Sequence, residues 1–256
     1  MIATAHTRFA KAGRGLAIFS GLIAIWWVVA LGLRLPVYML PTPPVVAEAL
    51  WAGRDFLWGH ALITAWEILL GLGLGLLLGV LLAVSMAFSR TLERWLMPVL
   101  VISQSIPIFA LAPLLVLWLG FGISSKVAAA ALVIFFPVAA SFYDGLRRTE
   151  PGWLELARTM GASRLAQLRH VRLAAALPAF GSGLRVGAAI APIGAVIGEW
   201  VGSSGGLGYV MLNANARMQT PVCFAALFIL SLMAVGLWHV VNLVLKYLLY
   251  WAPDSA

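Results

Sequence analysis

Charged side chains are scarce in this sequence. They make up 10% of its 256 residues, against 62% hydrophobic ones, where soluble domains carry roughly 25% charged residues. So little polarity cannot cover a water-soluble globule, which excludes a soluble enzyme before any motif is sought. Cysteine is scarcer still: Cys223 stands alone, so no disulfide framework can form within one chain and no cysteine-based metal site exists. The four histidines, His6, His60, His170 and His239, are scattered without ligand spacing and are expected at surfaces or interfaces. Acidic residues number nine against 17 Lys plus Arg, for a net charge of +8. The basic residues lie mostly between apolar runs, so they report membrane topology rather than nucleic-acid binding. No Gly-x-x-x-x-Gly-Lys-Ser/Thr nucleotide loop occurs. Nor does His-Glu-x-x-His, a Ser/His pair or a paired-Asp arrangement fall within an apolar run, which leaves no catalytic or metal-binding candidate. Internal repeats and low-complexity tracts are also missing.

What the sequence has in abundance is long apolar runs, at about 15–33, 62–88, 96–119, 127–143, 177–200 and 222–250. A span needs ~20 such residues. The sequence therefore predicts an all-α polytopic membrane protein with about six transmembrane helices, built as one transmembrane domain over 1–256 with its core at 60–250. Arg8, Lys11 and Arg14 precede the first run. That run is longer than a signal-peptide core and is followed by Arg34-Leu35-Pro36 rather than a small-x-small cleavage site, so it is expected to be a retained helix. With the N-terminus inside, the inner segments hold Arg8, Lys11, Arg14, Arg90, Arg94, Arg147, Arg148, Arg158, Arg164, Arg169 and Arg172; the outer ones hold Arg34, Arg54, Lys126 and Arg217. Eleven against four places both termini in the cytoplasm.

Proline and glycine punctuate the runs. The third contains Pro98, Pro107 and Pro113, and the fifth begins near Pro178 and contains Pro192. Such residues are tolerated where neighbouring helices re-satisfy the freed backbone, which predicts that these two runs are buried in a bundle. Gly71, Gly75 and Gly79 repeat every four residues and predict close approach of another helix. Leu40-Pro41-Thr42-Pro43-Pro44 predicts an extended connector, with a short interfacial helix over Val45–Trp51. Trp26, Trp27, Trp58, Trp200, Trp238 and Trp251 lie near run ends, where an aromatic belt is expected.

The inner segment 144–176 is charged yet keeps an apolar stripe. Thr149 is a candidate N-cap, with Glu150 and Pro151 in the first turn. Trp153, Leu156, Ala157 and Met160 then recur at helical spacing on one face. Gly161 ends that helix, and Ser163 caps a second that carries Arg164, Arg169 and Arg172. The pattern thus predicts two short helices joined at a glycine. Periodicity allows the first to lie in the headgroup plane or to dock in a groove of a cytoplasmic partner.

Glu155-Leu156-Ala157, three residues, Gly161, nine residues, then Val171-Arg172-Leu173 resembles the EAA signature of ABC importer permeases. Leu156 replaces an alanine of the pattern, and Ala174 stands where it has proline. Residues from about Ile102 to Arg217 are similar to the nitrate, sulfonate and taurine branch. They do so through Ile106-Pro107, Ala112-Pro113-Leu114, Trp118-Leu119-Gly120-Phe121-Gly122, Phe135-Phe136-Pro137, Gly198-Glu199-Trp200-Val201-Gly202 and Gly205-Gly206-Leu207-Gly208-Tyr209. Within that branch, Gly194 to Gln219, with Asn213-Ala214-Asn215-Ala216-Arg217, looks most like permeases for hydroxymethylpyrimidine, a thiamine precursor. The resemblance implies the type I ABC importer (MetI-like) permease fold in a bacterial inner membrane. It implies a homodimer, two cytoplasmic ATPase subunits and an external substrate-binding protein. ATP and magnesium would be held by the ATPase, with no cofactor on this chain. Trp153, Glu155, Leu156, Ala157, Met160 and Gly161 would form the coupling helix that meets the ATPase. The cargo would be hydroxymethylpyrimidine or a related pyrimidine, or else a sulfonate, taurine or nitrate.

Acids within spans are costly and usually functional. Glu67 falls near the outer end of the second run, where an interfacial position is expected. Glu199, at the outer end of the fifth, is expected to pair with Arg185 or Arg217 or to gate the outer mouth. Ser103, Gln104 and Ser105 lie mid-run beside Pro107, where they either line a cavity for a small polar solute or hydrogen-bond between helices. Asn213 and Asn215 belong to the outer segment before the last run, and the stretch Gly202–Gly208 either re-enters the membrane or meets the binding protein. A secondary transporter would show inverted repeats and ionisable groups at the midplane, and neither is visible in the sequence.

Overall fold

The computed structural model describes residues 2–251; of these, the side chains of 2–12, 14 and 16 are outside what is described, and with them the inner-side charges of Arg8, Lys11 and Arg14. The described chain is helical throughout: α1 (Ile2–Gly32), α2 (Pro43–Ala52), α3 (Arg54–Phe88), α4 (Arg90–Ser105), α5 (Ile108–Leu119), α6 (Ile123–Arg147), α7 (Pro151–Thr159), α8 (Arg164–Gln167), a π-helical turn (Leu168–Arg172), α9 (Leu173–Gly202), α10 (Leu207–Ala216) and α11 (Thr220–Leu248). Four stretches are long and apolar enough to cross a membrane: α3, α6, the continuous Arg164–Gly202 and α11. The first apolar run lies on α1, whose fully described part is Ala17–Gly32.

The third run differs from a simple span. It divides into α4 and α5, bent by 103°. Ile106 stands at the break with extended backbone, φ −88° and ψ 118°, because the ring of Pro107 crowds the residue before it out of helical geometry. Pro98, Pro113, Pro137, Pro178 and Pro192 sit inside their helices without ending them.

The chain packs as two units, Met1–Trp58 with Val210–Phe228, and Gly59–Tyr209 with Ile229–Ala256. In the first, Pro43 and Pro44 open α2, where their missing N–H groups cost nothing, and Thr42 precedes them with extended backbone. The predicted interfacial helix is therefore present, slightly longer than Val45–Trp51. Trp26 stacks on Phe224 at 5.6 Å between ring centroids and so packs inward rather than joining an aromatic belt. The Thr220 hydroxyl donates to the Tyr38 carbonyl at 2.7 Å.

The second unit is organised around α6. The glycine row of α3 faces it: a Cβ on Gly75 would lie 2.9 Å from Ile134 Cβ, and one on Gly79 2.9 Å from the Phe135 carbonyl. On its other side α9 comes as close, a Cβ on Gly194 falling 2.6 Å from Ala130 Cα. Small residues thus let three backbones approach within contact distance, the expected basis of helix association where lipid supplies no hydrophobic drive. Ile68, Ala130, Ile134, Val138, Ala191 and Ala195 form the buried centre. Ala83, Met86, Leu100, Phe142, Tyr143, Leu146 and Leu168 bury a second cluster where α3 and α6 end. Val241 and Leu245 of α11 pack on Ala188 of α9.

Candidate functional site

The segment after α6 builds the first candidate region. Thr149 does not cap α7; its hydroxyl donates backwards to the Leu146 carbonyl at 3.2 Å, so it closes the end of α6, and Glu150 holds the N-cap position with no side-chain bond. One residue of register explains the difference, since Pro151 takes the first helical position. The far end matches expectation. Gly161 adopts φ +78°, its N–H donates to the Arg158 carbonyl at 2.9 Å, and the Ala162 N–H reaches the Ala157 carbonyl at 2.9 Å. This pair of bonds is a Schellman stop, which needs a left-handed residue and hence favours glycine. Ser163 then caps α8, accepting from the Ala166 N–H at 3.2 Å.

The helix after Gly161 is not short. With alanine at 174 rather than proline, α8, the π turn and α9 run on as one 39-residue helix into the membrane. Arg172, within the π turn, donates from Nε to the Leu146 carbonyl at 3.0 Å and from Nη1 to the Ala87 carbonyl at 3.1 Å. These are carbonyls near the C-terminal ends of α6 and α3, which have no partner within their own helices. One guanidinium therefore ties the returning chain to both spans. In the sequence Arg172 was placed on the second loop helix and in the EAA-like stretch, but nothing there pointed to the carbonyls it reaches.

The stripe on α7 is solvent-facing. Trp153 is 52% exposed, Leu156 62% and Met160 78%, with Glu155 exposed beside them and Ala157 half-buried. The structure thus places Trp153, Glu155, Leu156 and Ala157 on one short helix, with Met160 at its C-cap and Gly161 at its stop.

A second polar region lies inside the helices. Thr64, Glu67, Lys126 and Glu199 are all buried. The Thr64 hydroxyl donates to Glu199 Oε1 at 2.6 Å and accepts from the Leu207 N–H at 2.7 Å. Glu199 Oε2 accepts from the Gly208 N–H, and the Gly206 N–H donates to His60 Nδ1 at 3.0 Å. Beside this, Glu67 Oε1 lies 3.9 Å from Lys126 Nζ, which also donates to the Phe121 carbonyl at 3.3 Å. Glu67 Oε2 is buried without a hydrogen-bond partner.

These positions correct three expectations. Glu67 does not face outward: it is 1% exposed and lies beside Lys126, the fourth residue of α6. Lys126 is not an outer surface charge but the partner of Glu67. Glu199 takes hydroxyl and amide partners, while the Nε of Arg185 donates to Asn242 Oδ1 at 3.1 Å. Ionisable groups are therefore buried among the helices, near the start of α6 and the end of α9 rather than midway along them. Thr64 and His60 escaped notice because a lone threonine and a scattered histidine carry no pattern.

Ser103 donates to the Leu100 carbonyl of its own helix at 2.7 Å, and Gln104 is exposed just before the bend. Asn213 and Asn215 lie on α10, so the segment predicted as an outer loop is largely helical.

Residues 75–249 match the family described as the inner-membrane component of binding-protein-dependent transport systems. The chain belongs to that family. A probable ABC transporter permease of Haemophilus influenzae is 50% identical over 227 residues, covering 89% of this chain and 93% of the relative. The formylaminopyrimidine transport permease ThiX of Halalkalibacterium halodurans is 38% identical, covering 91% and 93%. The riboflavin transport permease RibX of Chloroflexus aurantiacus is 39% identical, covering 95% and 92%. A chain of the inward-facing MetNI methionine ABC transporter superposes with a TM-score of 0.58 at 20% identity, over 81% of this chain and 97% of that one. The fold is thus that of ABC permeases, and this permease is an inner-membrane transport subunit, not an enzyme, in an importer that works with a binding protein and an ATPase. Membership also decides against an ion-coupled secondary transporter, despite the buried charges.

Proposed function

We propose that this permease imports a small solute bearing a pyrimidine ring, hydroxymethylpyrimidine or a close relative, and that α7 transmits the ATPase's motion to the spans. The observation that carries the second half is the exposed stripe Trp153, Leu156 and Met160. Apolar anchors at that spacing suit a groove on a partner. The Schellman stop and the Arg172 anchor would pass a displacement of α7 to α3, α6 and α9 rather than dissipate it in a loose loop. Two copies of the chain, two ATPase subunits holding ATP and magnesium, and one external binding protein would complete the importer, with both termini in the cytoplasm.

For the cargo, support comes from two relatives named for different solutes: formylaminopyrimidine is a pyrimidine, and the riboflavin ring system contains one. Ser103 and Gln104, at the α4–α5 bend, and Asn213 and Asn215 are the side chains proposed to meet the solute. Glu199 would act on the path indirectly, by holding the turn before α10.

Two measurements test this reading. Glu155→Lys or Gly161→Trp is expected to abolish co-purification of the ATPase while membrane insertion stays intact; an unchanged pull-down sinks the coupling role. For the cargo, the partner binding protein should bind hydroxymethylpyrimidine and ignore taurine, and the reverse preference would sink the assignment.

A further inference from the structure

A cavity of about 1050 Å³ opens where the spans α3 and α6 end, behind α7. Its walls hold five arginines, Arg90, Arg147, Arg158, Arg164 and Arg172, and a single carboxylate, Glu93. Among the described residues none of the five arginines has an ion-pair partner; the only pairs are Arg54–Asp55, Lys126–Glu67 and Arg148–Asp144. Four of the five are exposed into the cavity mouth, and Arg172 is half-buried with two of its donors on carbonyls. Five like charges around one space repel each other unless an anion fills it.

Depth identifies the anion. The cavity begins where two apolar spans end, α3 at Phe88 and α6 at Arg147, and polar chain next to a span end is where headgroups are met. Phe88 and Trp95, beside Arg90, are 63% and 75% exposed, apolar surface of the kind that meets acyl chains at an interface. The coupling stripe does not compete for this space. Leu154 and Arg158, four residues apart, line the cavity from a different side of α7 than Trp153, Leu156 and Met160.

We propose that this cavity binds the phosphate of an anionic phospholipid headgroup, held by Arg158 and Arg164 from the loop and by Arg90, Arg147 and Arg172 from the span ends. Basic pockets between helices on the cytoplasmic face are suited to such groups, and a guanidinium matches phosphate oxygens two at a time. The bound lipid would neutralise the cluster and fasten α7 and α8 to the membrane at a set height.

The test uses the full chain, purified in detergent and exposed to phosphatidylcholine, alone or with phosphatidylglycerol, with retained lipid counted by native mass spectrometry. Wild-type protein should retain phosphatidylglycerol selectively, and Arg158→Gln with Arg164→Gln should lower that retention about ten-fold. Arg34→Gln with Arg54→Gln, which removes the same charge elsewhere, should leave it unchanged. A second arm adds inorganic phosphate without anionic lipid. Phosphate that protects against thermal unfolding in wild type but not in the Arg158/Arg164 variant, with no lipid retained, keeps the site and makes its ligand soluble. Equal retention of both lipids with no effect of phosphate overturns the proposal. So does full retention by an Arg158/Arg164 variant whose unfolding temperature is unchanged. Phosphatidylglycerol displaced by an acidic peptide but not by phosphate would also overturn it, in favour of a protein partner.

Discussion

The loop around α7 and the buried cluster around Glu199 both concentrate polar groups, yet they solve opposite problems. At the loop the charges are exposed and overwhelmingly basic, and the apolar face is the one without a partner. In the cluster the charges are buried, acids outnumber bases, and nearly every donor and acceptor is matched within 4 Å. Water and a partner complete the first region; the second must complete itself. Substitutions should therefore be mild at the loop, where solvent repairs the damage, and severe in the cluster, where nothing does.

Lys126→Met should show the largest difference. It removes the cation paired with the buried carboxylate of Glu67, and breaking a buried pair from one side costs about 3–5 kcal/mol. The double change Lys126→Met with Glu67→Leu should recover much of that loss, because it removes the stranded charge along with its partner. Arg158→Gln, at the exposed end, should stay within about 0.5 kcal/mol. Thermal unfolding of the three variants in detergent checks the ranking. A Lys126→Met protein as stable as wild type would mean the cluster is solvated and the contrast is false.

Next comes the glycine turn. Gly206 has φ +101°, and a Cβ there would run into the Glu199 carboxylate. Gly206→Ala should cost about 2–4 kcal/mol, from left-handed backbone strain and from displacing an acceptor that Thr64 and Gly208 share. Limited proteolysis should then cut between Ser203 and Gly206 faster than in wild type. Unaltered cleavage together with an unaltered unfolding temperature would show that the turn is not held by Glu199.

How much of this was open to the sequence follows from the same contrast. The loop's features are local: a stripe at helical spacing, a glycine stop, a serine cap. Each leaves its mark within a few residues, so α7, Gly161 and Ser163 were legible. Pro107 likewise marked the break in the third run, though not its 103° angle, which depends on packing. The cluster draws its members from positions 60–67, 121–126 and 199–208, and no local pattern joins them. The burial of Glu67 was not legible because its partner, Lys126, comes from a different helix. Thr149 missed by one residue, the usual error at a cap. The continuity of α8 with α9 rests on an absent proline at 174, and absence of a breaker gives no length.

A smaller effect than at Gly206 should come from the glycine that resembles it in backbone but not in surroundings. Gly161 has φ +78°, and a Cβ there would meet nothing within 4 Å. Gly161→Ala should pay only the left-handed backbone cost, about 1 kcal/mol, with the Schellman bonds to Arg158 and Ala157 kept. Because α7 packs through few buried contacts, that cost should appear as local fraying rather than global unfolding. Amide exchange at Gly161 and Ala162 should quicken several-fold while the unfolding temperature of the spans stays fixed. Association with the ATPase should weaken only slightly, in contrast to Gly161→Trp, whose bulk lies beside Met160 on the stripe. Should alanine at 161 disrupt association as fully as tryptophan does, the stop itself rather than the exposed face would be what the partner senses, and the division between a region completed by its partner and one completed internally would have to be redrawn at this residue.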